Sequence, residues 1–210
     1  MNDSEKNQHD DTGKDERRTL IWVLLINFSQ ALLAGIVGFM AQSTGLLGAG
    51  LDNLGDSFVY FASLYAVGRS VTAKSRVAKL SGVLLVAMAI GLVIDVIRRF
   101  LSGSDPVGWA MIIVAIINAA SNLLCLRLLR SHREEGVHLK ASWIFTTNDM
   151  IANLGIVISG IAVMFFSSQI PDLVIGILVA GIVVKGGFEI LSDAKEAGQN
   201  DSAESEAMMK

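Results

Sequence analysis

Between Leu46 and Gly68 the chain reads LLGAGLDNLGDSFVYFASLYAVG, 23 residues holding two acids, Asp52 and Asp56, and no base. A run of this length without strand alternation crosses the ~30 Å hydrocarbon layer of a bilayer only as a helix, which satisfies its backbone polar groups within one segment. Working outward, five further windows have the same character: Leu20 to Met40, Leu80 to Ile97, Val107 to Leu126, Ala141 to Phe166 and Leu173 to Leu191. Six spans predict an all-α membrane protein, a bundle of six transmembrane helices over residues 19–192.

Composition agrees. Of 210 residues, 52% are hydrophobic and 18% charged, and nearly half of the charges lie in the first and last 19 positions. Residues 1–18 and 193–210 mix acids and bases with Asn, Gln, Ser and Gly, which predicts disordered tails too short to build a folded domain. The first of them lacks the basic start and short apolar core of a cleaved leader. A net charge of −3 with no basic or aromatic-interleaved patch excludes nucleic acid as a partner. The single cysteine, Cys125, excludes an intrachain disulfide and a Cys-based zinc cluster. Bases gather in the amino-terminal tail, after the second span (Arg69, Lys74, Arg76, Lys79) and after the fourth (Arg127, Arg130, Arg133, Lys140). The loops at Ala41–Gly45 and Ser167–Asp172 have none, so both termini are expected in the cytoplasm of a multi-pass cell-membrane protein.

An acid at mid-bilayer costs roughly 3 kcal/mol to insert, so each one calls for a reason. Asp52 and Asp56 stand four apart, on one helix face and one turn from each other. Asp149 lies in the fifth span, in Thr-Thr-Asn-Asp-Met-Ile-Ala-Asn, with Thr146 and Asn153 on the same face and Asn148 beside it. No Lys or Arg sits at matching depth, so protons or a divalent cation must neutralise these groups, and competition between the two would couple metal movement to a proton gradient. The structural alternative is a protonated pair hydrogen-bonded to neighbouring helices, with Asn148 and Asn153 as interhelical glue like Asn27, Asn118 and Asn122.

These residues resemble the cation diffusion facilitator family of divalent-metal transporters, in a short form without its cytoplasmic metal-sensing domain. The stretch from Ser43 to Asp56 is similar to the family's second-helix motif, and the resemblance makes Asp52 and Asp56 metal ligands. The stretch from Phe145 to Asn153 is similar to the family's His-x-x-x-Asp, which makes Asp149 the acidic ligand. Two positions depart: Phe145 stands where most members place His, and Ala49 where many place Asp. Three carboxylates remain, with Asn148, Asn153, Thr146 or water to complete the shell, and loss of imidazole moves preference from Zn²⁺ toward oxygen-rich coordination. The implied cargo is a divalent metal drawn from Zn, Co, Mn, Fe, Ni and Cd, with protons as counter-substrate and no prosthetic group. Without the sensing domain a homodimer would form inside the membrane, where Gly35, Gly38, Gly176 and Ala180 allow close approach.

Other features read as structural. His132, Glu134, Glu135 and His138 suit a solvated loop, because their spacing fits no closed metal site. Trp22, Trp109 and Trp143 suit interfacial anchors. Asp95 with Arg98 and Arg99, and Glu189 with Lys185, suit one-turn ion pairs near the membrane surface. No nucleophile elbow, phosphate loop or His-Glu-x-x-His helix is present, so no catalysis is expected. The function expected is divalent-cation efflux by metal/proton antiport, with an exporter of organic cations and a non-transporting scaffold as the alternatives.

Overall fold

A computed structural model describes residues 3–40, 44–102, 109–166, 168 and 170–208. It is all helical among them: α1 (Asp3–Met40), α2 (Thr44–Ala66), α3 (Val71–Ser102), α4 (Trp109–Leu129), α5 (Val137–Phe166) and α6 (Ile170–Met208). Parts of the expected loops at Ala41–Gly45 and Ser167–Asp172, the side chains of Arg99 and Trp109, and the packing of Gly38 lie outside the described residues. Five helices are long and apolar enough to cross a membrane. The sixth, α2, has the length at 23 residues but a lower hydropathy, because Asp52, Asn53, Asp56, Ser57 and Ser63 all fall within it. Gly68 ends the turn after α2 at φ 73°, a left-handed conformation that a side chain would strain.

Large apolar side chains on the outside, such as Leu33, Phe61, Ile94 and Phe165, are more than half exposed. In lipid such exposure carries no penalty, so helix association rests on close packing and interhelical polar contacts instead. α3 packs chiefly on α6, and α1 on α2. Glycine makes the first pair tight: a Cβ at Gly187 would lie 2.5 Å from Val86 Cγ2, and one at Gly82 3.1 Å from the Gly187 carbonyl. Gly50 plays the same part on α2, where a Cβ would stand 3.1 Å from the Gly35 nitrogen. Gly176 meets Val96 in the same way and Ala180 is buried. Gly176 and Ala180 therefore lie within the chain's own packing, whereas a Cβ at Gly35 would meet nothing within 4 Å.

Two apolar cores result. One joins Val59 of α2 to Ala78, Leu85 and Ala89 of α3, Ile144 and Phe145 of α5, and Val179, Val183 and Ile190 of α6. The other joins Leu20 and Val23 of α1, Tyr60 of α2 and Val67 in the turn after it, Cys125 and Leu129 of α4, and Leu139 of α5. Trp143 of α5 touches both, under the guanidinium of Arg133, so it is partly a core residue and not simply an interfacial anchor.

The helices continue past the apolar spans, into flanks whose composition predicts no structure. Elongating a helix already nucleated is far easier than starting one, and contacts hold the extensions. Arg17 Nη2 donates to the Val67 carbonyl at 3.4 Å, Ser75 Oγ to the Ala194 carbonyl at 2.6 Å, and Thr72 Oγ1 to Asp201 Oδ2 at 2.6 Å. Lys140 pairs with Asp193 at 2.8 Å, so the starts of α3 and α5 are tied to the end of α6.

The glycine contacts give a direct expectation. Gly187→Val should destabilise the protein by ~1–3 kcal/mol through overpacking. Gly181→Ala, on the same helix with nothing within 4 Å, should be neutral or mildly stabilising. Thermal melting of the two variants in one detergent compares them.

Candidate metal centre

Along the seam between α2 and α5, small polar side chains satisfy their own donors on the preceding helical turn. Asn53 Nδ2 donates to the Ala49 carbonyl at 2.8 Å, Ser57 Oγ to Asn53 at 2.8 Å, Thr146 Oγ1 to Ser142 at 2.7 Å and Asn148 Nδ2 to Ile144 at 2.8 Å. This is the cheapest answer to burial in an apolar medium, since the acceptor is already one turn away. Bonds across the seam add to it, with Tyr60 Oη and Thr146 Oγ1 2.6 Å apart and Ser63 Oγ and Ser142 Oγ 2.8 Å apart.

What this pattern leaves over is oxygen. Asp56 is 1% exposed and neither carboxylate oxygen has a hydrogen-bond partner. Asn27 Oδ1 and Asn122 Oδ1 are likewise buried without a donor. Orphaned buried acceptors are uncommon and call for a cation, a proton or a water.

The predicted residues fall into three settings. Asp52 and Asp149 line one cavity of about 410 Å³, together with Asn148 and Phe145. This cavity runs from mid-bundle past Met88 and Leu92 to Asp95, Ser159 and Gly176, toward the face opposite the termini. Among its described lining residues are three acids and no base. Asp56 stands one turn behind Asp52, outside that lining but within electrostatic reach of both Asp52 and Asp149. Asn153 does not line the cavity: its Nδ2 donates to Asp149, at 3.0 Å to the carbonyl and 3.2 Å to Oδ2, so it orients the acid. Thr146 is committed to Tyr60. Among the described residues no group of three or more His, Cys, Asp or Glu side chains converges closely enough to hold an ion without movement.

A second cavity, about 450 Å³, opens between α5 and α6 toward the face that carries both termini. Arg133, Glu134, Lys140, Lys185 and Glu189 surround it, and Asn148 lies in its deeper part with Ile151 and Ile182. Asn148 is the one residue common to the described linings of both hollows. Gly186 of α6 lies directly against its amide, and a Cβ there would overlap it. Asn148 and Gly186 thus touch where the two linings meet.

Some sequence readings change. Asn122 of α4, read as interhelical glue, does bond across helices, and its partner is the cavity acid: Nδ2 donates to Asp149 Oδ2. A buried amide facing a carboxylate at this spot was visible only once α4 was packed on α5. Asp95 pairs with Arg98 at 2.6 Å as expected, yet also lines the cavity mouth. His138 is fully buried in the first turn of α5, not in a solvated loop, with both ring nitrogens unpartnered. Lys185 and Glu189 line the second cavity and form no ion pair with each other among the described residues. Phe145, 1% exposed, extends the apolar core to the cavity wall where an imidazole was the family's expectation.

The model of the cation efflux transmembrane domain matches residues 20–197. Over 200 residues the chain is 20% identical to the cadmium, cobalt and zinc/H(+)-K(+) antiporter of Bacillus velezensis, covering 89% of this chain and 64% of that protein. It is 23% identical over 188 residues to the zinc transporter ZitB of Yersinia pestis, covering 81% of this chain and 60% of the other. It is 23% identical over 184 residues to the metal cation efflux system protein CzcD of Cupriavidus metallidurans, covering 81% and 58%. The chain therefore spans less than two thirds of the length of these relatives. With the match running from the start of the first span past the end of the last, the chain belongs to the cation efflux, or cation diffusion facilitator, family.

Proposed function

We propose that this protein exports divalent metal cations in exchange for protons, by alternating access to a site built from Asp52, Asp56 and Asp149. One observation carries the reading: a buried carboxylate with both oxygens orphaned stands behind two cavity acids, and no base is among the cavity's described lining. A mobile positive charge is what such a site lacks. A divalent ion and protons both supply it, and whichever binds displaces the other. The relatives' names, which include metal efflux and metal/H(+) antiport, agree with this use.

In the proposed mechanism, one state opens Asp52 and Asp149 to the face opposite the termini, a reading supported by the course of the first cavity. An ion arriving from the other side enters between α5 and α6, where Glu134, Glu189 and the Asp193 paired with Lys140 offset the three bases around the second cavity. Separation of α6 from Asn148 opens that route, and closure returns the ion to the first cavity. Asn148, with its Nδ2 held by Ile144, offers Oδ1 from either side. Asn153 keeps Asp149 aimed and does not itself ligate. The positive-inside count places the termini in the cytoplasm, so the first cavity faces outward. With Phe145 in place of imidazole the donors are oxygens, which suit harder ions than an imidazole-bearing site does. The apolar wall of Leu85, Met88, Leu92 and Phe145 supports a second reading, export of an organic cation held by the same acids.

Metal uptake into inside-out vesicles tests the first reading. Asp52→Asn and Asp149→Asn proteins that insert normally should lose roughly 10–100-fold in apparent metal affinity, as loss of a supporting or direct ligand does. Unchanged transport by both would defeat the assignment, and drug-driven proton release without a metal response would favour the organic-cation reading.

Melting in detergent separates transporter from scaffold. Asp56→Leu should raise metal-free stability by ~1–3 kcal/mol, because it removes an unsatisfied buried group. Micromolar divalent metal should stabilise the wild type and not this variant.

The contact between Asn148 and Gly186 gives a kinetic test. Gly186→Ala sets a methyl against the Asn148 amide, and the expected result is slowed turnover with equilibrium metal binding retained. Turnover equal to wild type would remove Asn148 and Gly186 as the gate.

A further inference from the structure

We propose that Asn122 of α4 supplies an oxygen to the cation site, so that the ion is held by three helices and not by α2 and α5 alone. The proposal rests on the reading of Asp149 as a ligand and adds a residue to that site.

Asn122 is fully buried, and its two amide atoms are in opposite situations. Nδ2 donates to Asp149 Oδ2, whereas Oδ1 has no partner. The assignment of the two atoms follows from chemistry, because a carboxylate oxygen facing an amide selects the N–H side. In the absence of a cation Asn122 therefore supplies partial positive charge to the acid. A cation arriving at Asp149 removes the reason for that orientation. It competes with the N–H for the same carboxylate oxygen, and an N–H directed at a metal ion is repelled.

Turning the amide by half a revolution about its last side-chain bond exchanges the two atoms. Oδ1 then faces the ion as a neutral, hard oxygen donor of the kind found in oxygen-rich divalent sites. The turn leaves Asp149 in place, because Asn153 Nδ2 holds the same carboxylate independently at 3.2 Å. It also relieves the orphaned oxygen, which in the present orientation has nothing to accept. Asn27 differs: its Nδ2 is tied to the Val23 carbonyl at 3.0 Å and to Cys125 Sγ at 3.5 Å, and it makes no bond to a site acid.

The test uses the full chain in lipid nanodiscs, titrated with MnCl₂, ZnCl₂ and CoCl₂ by calorimetry, with the visible Co²⁺ spectrum read alongside. Asn122→Leu keeps the shape and removes the amide; it should weaken Mn²⁺ and Co²⁺ binding roughly 10-fold or more and alter the Co²⁺ band. Asn118→Leu, one turn earlier on the same helix, should leave both unchanged. Asn122→Asp, a second variant that keeps a ligating oxygen, should bind at least as tightly as wild type. Binding by Asn122→Leu within twofold of wild type with the same spectrum would overturn the proposal, as would weaker binding by Asn122→Asp. If Asn122→Leu fails to fold, Asn122→Asp decides alone. Absence of any divalent binding by the wild type would instead remove the reading of Asp149 on which the proposal stands.

Discussion

The constraint on which the rest of this structure depends is the disposal of hydrogen-bond donors along the α2–α5 seam. Several of the nitrogen and hydroxyl donors find acceptors one turn back on their own helix, and the Tyr60 and Ser63 hydroxyls find theirs across the seam. Carboxylate and amide oxygens have no such local remedy. Helical backbone N–H groups are already engaged, and a bilayer offers no water. Packing polar residues into an apolar bundle therefore sorts them, and the interior ends as an acceptor-rich, donor-poor region around Asp56, Asp149 and Asn122.

The two apolar cores keep this region in place. Each is centred on one side of the seam, and α5 contributes to both, through Ile144 and Phe145 to one and Leu139 to the other. The position of Asp149 is thus set by close packing on either side of its helix and not by its own polar bonds. Glycines on α3 and α6 let that pair approach to backbone distance, which brings Val179 and Val183 onto the cavity wall. The unpartnered carboxylate of Asp56 is tolerated because the surrounding packing supplies the stability that it subtracts.

Much of this was legible in the sequence because the bilayer restricts the choices. Length and lack of charge gave the helices, and the four-residue spacing put Asp52 and Asp56 on one face. Spacing within one helix says nothing about which residue of another helix will meet it. Asn122 looked like any buried asparagine until α4 lay against α5. Asn148 and Asn153 both back-bond one turn along α5, but Asn153 Nδ2 also meets the Asp149 carboxylate while Asn148 lines two cavities. His138 was misjudged for a related reason: composition marks polar loops, and a histidine in the first turn of a helix is drawn inward by its neighbours Leu139, Ala141 and Ser142. The tails were misjudged because composition measures what a segment does alone, and here each extends a helix already anchored in the bundle.

Asn148 lines two hollows that lead toward opposite faces, with Gly186 against its amide, and in the proposed gate these two residues are the partition. Where water fills both hollows, the membrane voltage falls mainly across that partition. Each elementary charge carried through it does ~2.3 kcal/mol of electrical work per 100 mV, and a divalent ion twice as much. In the proposed metal/proton exchange, the number of protons returned per ion would decide whether the cycle is electrically silent or draws on the resting potential.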